Sequence, residues 1–93
     1  MIDAFLDDAP ALVATLRAAH EQGDREELRR AAHTLKSNGQ TFGAERFSEL
    51  CRELEERAKS DELDGAADLL KSMEREYAAL EQTLAALRPT PAS

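Results

Sequence analysis

The chain has 93 residues and a formal net charge of -7, from 12 Lys and Arg against 19 Asp and Glu. That length allows one modest core and no more, and the acidic balance argues against a general nucleic-acid binder, which needs basic charge to meet phosphate backbones. Ala, Leu, Glu and Arg dominate over β-branched residues, which favours helix throughout.

A first helix is expected from about Ile2 to His20, because Ile2, Phe5, Leu6, Ala9, Leu12, Val13, Leu16 and Ala19 recur every three or four residues as one apolar stripe. Pro10 interrupts that stripe and predicts a kink or a joint at Ala9-Pro10. Asp24, with Glu27 three residues on, reads as an N-cap and its capping-box partner. The second helix then runs to about Gly39 with Leu28, Ala31, Ala32 and Leu35 inward. Asn38-Gly39 loosens its end, Phe42 returns to the core, and Gly43-Ala44 is small enough to let two helices approach closely. A third helix, roughly Ala44 to Ala58, turns Phe47, Leu50, Cys51 and Leu54 inward. Ser60, backed by Asp61 and Glu62, reads as the start of a fourth helix. Its seam of Leu63, Ala66, Leu70, Met73, Tyr77, Leu80, Leu84 and Leu87 suits near-antiparallel packing. The expected fold is all-α, an antiparallel up-down-up-down four-helix bundle over residues 1–88, with residues 89–93 as a disordered tail or linker stub.

The single Cys51 cannot form an internal disulfide and fits a reducing compartment. No apolar run approaches the roughly 20 residues of a membrane span. Met1-Ile2-Asp3-Ala4-Phe5 lacks the basic and apolar regions of a signal peptide. A cytoplasmic monomer that binds neither membrane nor nucleic acid is expected.

His33 stands apart from these patterns. Measured from Leu28 and Leu35, it lies about 140 to 160 degrees around the helix, away from the apolar stripe. Arg29 and Arg30 fall one turn before it, Lys36 and Ser37 one turn after, and Gln40 a further turn on. The imidazole is therefore expected to be exposed, framed by three cations and two neutral hydrogen-bonding side chains. A neutral imidazole nitrogen is a nucleophile near physiological pH. Once phosphorylated it carries a dianionic group, which Lys36, Arg29 and Arg30 are placed to stabilise. Such transfer depends on positioning and charge neutralisation and needs no cleft. In an arbitrary helical protein, though, a histidine on a polar face is most often an ordinary solvated residue.

The segment Ala32-His33-Thr34-Leu35-Lys36-Ser37-Asn38-Gly39-Gln40-Thr41-Phe42-Gly43-Ala44 resembles the phosphoacceptor segment of histidine-containing phosphotransfer (HPt) domains. These typically carry His-x-Leu-Lys-Gly-Ser and, after a few residues, a Gly-Ala pair. His33, Leu35, Lys36, Gly43 and Ala44 match, and the resemblance covers most of residues 1 to 88. Ser37 departs from it, standing where the family usually has glycine and narrowing access beside the histidine. The resemblance implies a phosphorelay intermediate that accepts a phosphoryl group on His33 from a receiver-domain aspartyl phosphate and transfers it to, or takes it from, another receiver. It implies response-regulator receivers as partners, with a hybrid histidine kinase as a further candidate, and Ser37 and Gln40 as docking or hydrogen-bonding residues. Mg2+ and the acidic catalytic residues are then the receiver's, and no cofactor or metal is expected on this chain. No nucleotide-binding loop is recognisable, so the expected role is a carrier without ATP-dependent kinase activity. The alternatives are a helical adaptor or dimerisation domain in which His33 is incidental, and a receiver-binding module without transfer.

Other polar residues read as structural. His20 suits the C-terminal turn of the first helix, and a metal site from His20, Glu21 and Asp24 lacks a second histidine or a cysteine. Cys51 reads as a small buried hydrophobe. The acidic stretches Glu53-Glu55-Glu56 and Asp61-Glu62-Asp64 read as solvated faces and helix-start charges.

Overall fold

Four stretches of apolar residues spaced three and four apart become four helices in the computed structural model, which describes residues 2–60 and 65–87. Helix α1 spans Ile2–Gln22, α2 Arg25–Thr41, α3 Glu45–Lys59 and α4 Ala66–Leu87. Helix α1 packs on α2 and α4, and α3 packs on the same two, with α2 and α3 the most extensively joined pair. Short turns between α1 and α2 and between α2 and α3 make these neighbours antiparallel, so the helices form an all-α bundle in chain order.

The core is one cluster. Phe5, Phe42, Phe47 and Tyr77 meet with ring centroids 5.3 to 6.5 Å apart, and Leu16, Leu28, Leu35, Leu54 and Met73 are fully buried. Burying each such side chain is worth about 1.5–3 kcal/mol. Arg17 and Glu74 pair across α1 and α4. Among the described residues, no helix is long and apolar enough to cross a membrane.

Local chemistry sets the helix ends. The backbone N–H of Glu27 donates to Asp24 Oδ1 at 3.2 Å, so Asp24 caps α2 as expected. Helix α1 continues through Pro10 without a break. Phe5 and Ala9 before the proline and Val13 and Leu16 after it are buried in the same core, and that packing outweighs one lost helical hydrogen bond. Helix α2 runs two residues past Gly39 and ends in a Schellman turn. There Ala44 N–H donates to Gly39 O and Gly43 N–H to Gln40 O, with Gly43 at φ +69.

The close approach expected at Gly43-Ala44 occurs elsewhere. A side chain on Gly43 would meet open space, whereas a Cβ on Gly39 would stand 2.5 Å from Ser48 Oγ and 2.7 Å from Phe47 Cδ2. Gly39 is thus what lets α2 and α3 lie close together, and Gly43 supplies a left-handed turn.

Two further expectations at the fourth helix change. Ser60 closes α3 instead of opening α4: its hydroxyl donates to Glu56 O at 3.0 Å, satisfying a terminal carbonyl. Leu87 is 65 % exposed, so the buried seam ends at Leu84. Leu63, the acidic stretch Asp61-Glu62-Asp64 and the tail 89–93 lie outside the described residues.

Candidate functional site

Helix α2 buries Leu28, Ala31, Ala32, Leu35 and Gly39. Its opposite face therefore carries Arg30, His33, Ser37 and Gln40 to the surface, all of them exposed. Helix α3 runs antiparallel along it. Ser48 Oγ donates to the carbonyl of Lys36 at 3.4 Å. Two turns further along α3, Glu55 comes level with His33.

Glu55 organises the site. Its side chain is only 5 % exposed, while the His33 side chain is 58 % exposed. Glu55 Oε2 lies 2.9 Å from His33 Nδ1, and Oε1 accepts from Lys36 Nζ at 2.7 Å. Lys59 Nζ stands 3.9 Å from the same Oε2 that meets the histidine. Burial pushes the Glu55 carboxyl up, but the hydrogen bonds from Lys36 and His33 outweigh it and hold the group below its ordinary value. Glu55 is accordingly a carboxylate at neutral pH and can only accept. His33 Nδ1 must then carry the hydrogen, and in the neutral ring the lone pair sits on Nε2. Among the described residues Nε2 has no hydrogen-bond partner.

The cations expected around His33 are arranged unequally. Lys36 is 21 % exposed and committed to Glu55. Arg30 turns back one helical turn to Glu27, at 3.6 Å. Arg29 is half-buried and lines a hollow with Arg25 and Lys59. Ser37 and Gln40 are exposed on the next turns, and Gln40 shares a groove with Lys36, Ser48 and Arg52. His20 sits in the last turn of α1. Cys51 is fully buried, and burial pushes its thiol up to about 12 against the smaller opposing charge of Lys36. Among the described residues, no three His, Cys, Asp or Glu side chains come together in a way that could hold a metal ion.

Two members of this cluster escape a reading of the sequence. Glu55, expected with Glu53 and Glu56 on a solvated face, is instead buried. A signal was available: Glu55 follows Ser48 by seven residues and Cys51 by four, on the buried side of its helix, where a carboxylate needs partners. Lys59 is 26 residues from His33, and only the packing of α3 on α2 brings it near.

The all-α four-helix bundle matches the fold of a phosphotransfer domain. The Hpt domain model matches residues 1–88, and the chain belongs to that family. Its structure is similar to that of histidine-containing phosphotransfer protein B (HptB) from Pseudomonas aeruginosa PAO1, with 36% sequence identity and a TM-score of 0.85, covering 89% of this chain and 72% of that one. No curated protein sequence matches the chain. It is therefore a phosphotransfer protein of a phosphorelay. Members of this family are phosphotransfer intermediates, not kinases, and they interact with receiver domains.

Proposed function

We propose that His33 is the phosphoacceptor and that Nε2 is the atom that carries the phosphoryl group. The donor is an aspartyl phosphate on a receiver domain. The bond from phosphorus to the aspartate oxygen breaks as the bond to Nε2 forms, and the aspartate leaves as a carboxylate. The ring keeps its Nδ1 hydrogen on Glu55 throughout, so no proton has to be removed. The same chemistry in reverse loads a second receiver.

The observation that carries this reading is the pairing of Nδ1 with an ionised, buried Glu55, which leaves the Nε2 lone pair unpartnered on a largely exposed ring. Phosphorylation places positive charge on the ring, and the adjacent carboxylate stabilises it. Lys36 offsets the charge of Glu55 and keeps a cation beside the phosphoryl site. Arg29 and Arg30 add positive charge on the preceding turn, and Ser37 and Gln40 form part of the docking face. Mg2+ and the acidic residues that handle the aspartyl phosphate belong to the receiver.

The test is phosphotransfer from a phosphorylated receiver of the same cell. The chain should acquire acid-labile, alkali-stable phosphate, and His33→Gln should acquire none. Equal labelling of His33→Gln would place the acceptor elsewhere. Absence of labelling by every receiver would favour an adaptor.

A further inference from the structure

Glu55 has two oxygens and three cationic or hydrogen-bonding neighbours, and the three are not held alike. Lys36 Nζ sits at 2.7 Å from Oε1 and His33 Nδ1 at 2.9 Å from Oε2. Lys59 Nζ is 3.9 Å from Oε2, beyond hydrogen-bonding range, and its side chain is 53 % exposed. If Lys36 moved away, a nearly buried carboxylate oxygen would be left without a donor, which is expensive. If Lys59 moved away, both oxygens would keep the donors they have. Lys59 is thus the ammonium that can be redirected at least expense, and its flexible stem suits a change of partner.

Its position favours one destination. Arg25, at the start of α2, donates from Nε to Ala58 O at 3.0 Å and from Nη2 to Lys59 O at 3.3 Å. These bonds tie the end of α3 to α2, four residues before Arg29 and eight before His33. A hollow of about 290 Å³ there brings Lys59 together with Arg29, which has no ion-pair partner among the described residues. One turn of α2 separates Arg29 from the histidine, on the side opposite Ser37 and Gln40.

We propose that Lys59 is the cation that responds to phosphorylation: it leaves Glu55 and pairs with the phosphoryl group on His33, with Arg29 beside it, while Lys36 stays on Glu55. Lys59 and the ring meet the same Glu55 oxygen, and a dianion on that ring attracts the lysine more strongly than a carboxylate already satisfied by two closer donors. The inference rests on His33 as the phosphoacceptor and adds a residue from a different helix to the phosphoryl site.

Phosphoramidate tests it without any partner protein. Its P–N bond breaks as the bond to Nε2 forms, and ammonia leaves. The phosphohistidine signal is then followed against pH by phosphorus NMR in wild type, Lys59→Gln, Lys59→Arg and, as a control on α4, Lys71→Gln. Removing a cation beside the phosphoryl group makes the phosphorylated ring hold its Nδ1 proton more tightly, and that proton is read at a pH where the acid-labile phosphate survives. Lys59→Gln should therefore raise the proton affinity of the phosphorylated ring about two- to fivefold, and by more than it changes that of the unphosphorylated ring. Lys59→Arg should restore most of the wild-type value, and Lys71→Gln should match wild type. A Lys59→Gln titration that superimposes on wild type overturns the proposal. If wild type gains no phosphohistidine, or His33→Gln still gains it, the assignment of His33 fails first.

Discussion

Replacing Glu55 by Gln changes a charge with almost no change of shape, and the structure dictates several linked consequences. Hydrogen bonds to charged groups are worth about 1.5–3 kcal/mol each. Here water reaches one donor freely and the other partly, since the His33 and Lys36 side chains are 58% and 21% exposed. Desolvation of the carboxylate also offsets part of the gain. A net loss of about 1–2 kcal/mol at neutral pH is therefore expected for Glu55→Gln. The glutamine oxygen can still accept from Lys36, but its amide nitrogen then faces His33 and can only donate. Nδ1 must become the acceptor, which moves the ring hydrogen to Nε2 and removes the lone pair from the outward nitrogen. Nitrogen NMR should show the neutral His33 ring as the Nδ1–H tautomer in wild type and as Nε2–H in the variant, and phosphoryl uptake should slow accordingly. Stability gives an independent check of sign. The folded Glu55 carboxyl lies below its ordinary value of 4.5, so its contribution is present above that pH and is lost as pH falls through the folded value. Urea unfolding should show wild type and Glu55→Gln well separated at neutral pH and converging in acid. A gap that is absent at neutral pH, or that stays constant into acid, would refute the reasoning.

Two other consequences follow from the α2–α3 contact and the core. Gly39→Ala ordinarily gains about 1 kcal/mol of helix propensity, but the new methyl would meet the Phe47 ring 2.7 Å away, so a net loss of about 1–3 kcal/mol in urea unfolding is expected, and a stabilised variant would contradict the packing described. Cys51, its thiol pushed up to about 12 chiefly by burial, should react with a disulfide reagent only as fast as the chain unfolds, and rapid labelling of the native protein would show that the α2–α3 interface opens locally.

The helices were legible because each carries its own evidence in sequence: an apolar stripe at helical spacing and, before α2, the Asp24 cap. What the sequence misplaced depends on a second helix. Gly39 and Gly43 are both glycines near one helix end, and only the position of Phe47 and Ser48 reveals that the first permits contact while the second permits a turn. Ser60 has the residue type of an N-cap, yet its hydroxyl turns back to Glu56. Leu87 continues the seam by spacing, but it is exposed at the end of the described part of α4. The exposure of His33 followed from its angle to Leu28 and Leu35, a property of one helix. The burial of Glu55 was legible in the same way from its spacing to Cys51, but its partners His33 and Lys36, 22 and 19 residues distant, were not.

The overall charge conceals a similar division. Eight of the twelve Lys and Arg, but seven of the nineteen Asp and Glu, lie between residues 25 and 60, so the α2–α3 hairpin has a formal charge of +1 and the rest of the chain -8. A uniformly acidic bundle would oppose the approach of the phosphorylated carboxylate that the proposed function requires. In this chain the acidic excess lies outside the hairpin that carries His33, and screening over about 8 Å at physiological salt limits its reach across the molecule. The unequal charge also favours encounters in which an acidic receiver site meets the hairpin over those in which it meets α1 and α4. A net acidic composition therefore still leaves the histidine on a near-neutral surface that an anion can approach. A shallow, cleft-free site can use this, because most of what phosphoryl transfer asks of it is the right charge at the right nitrogen.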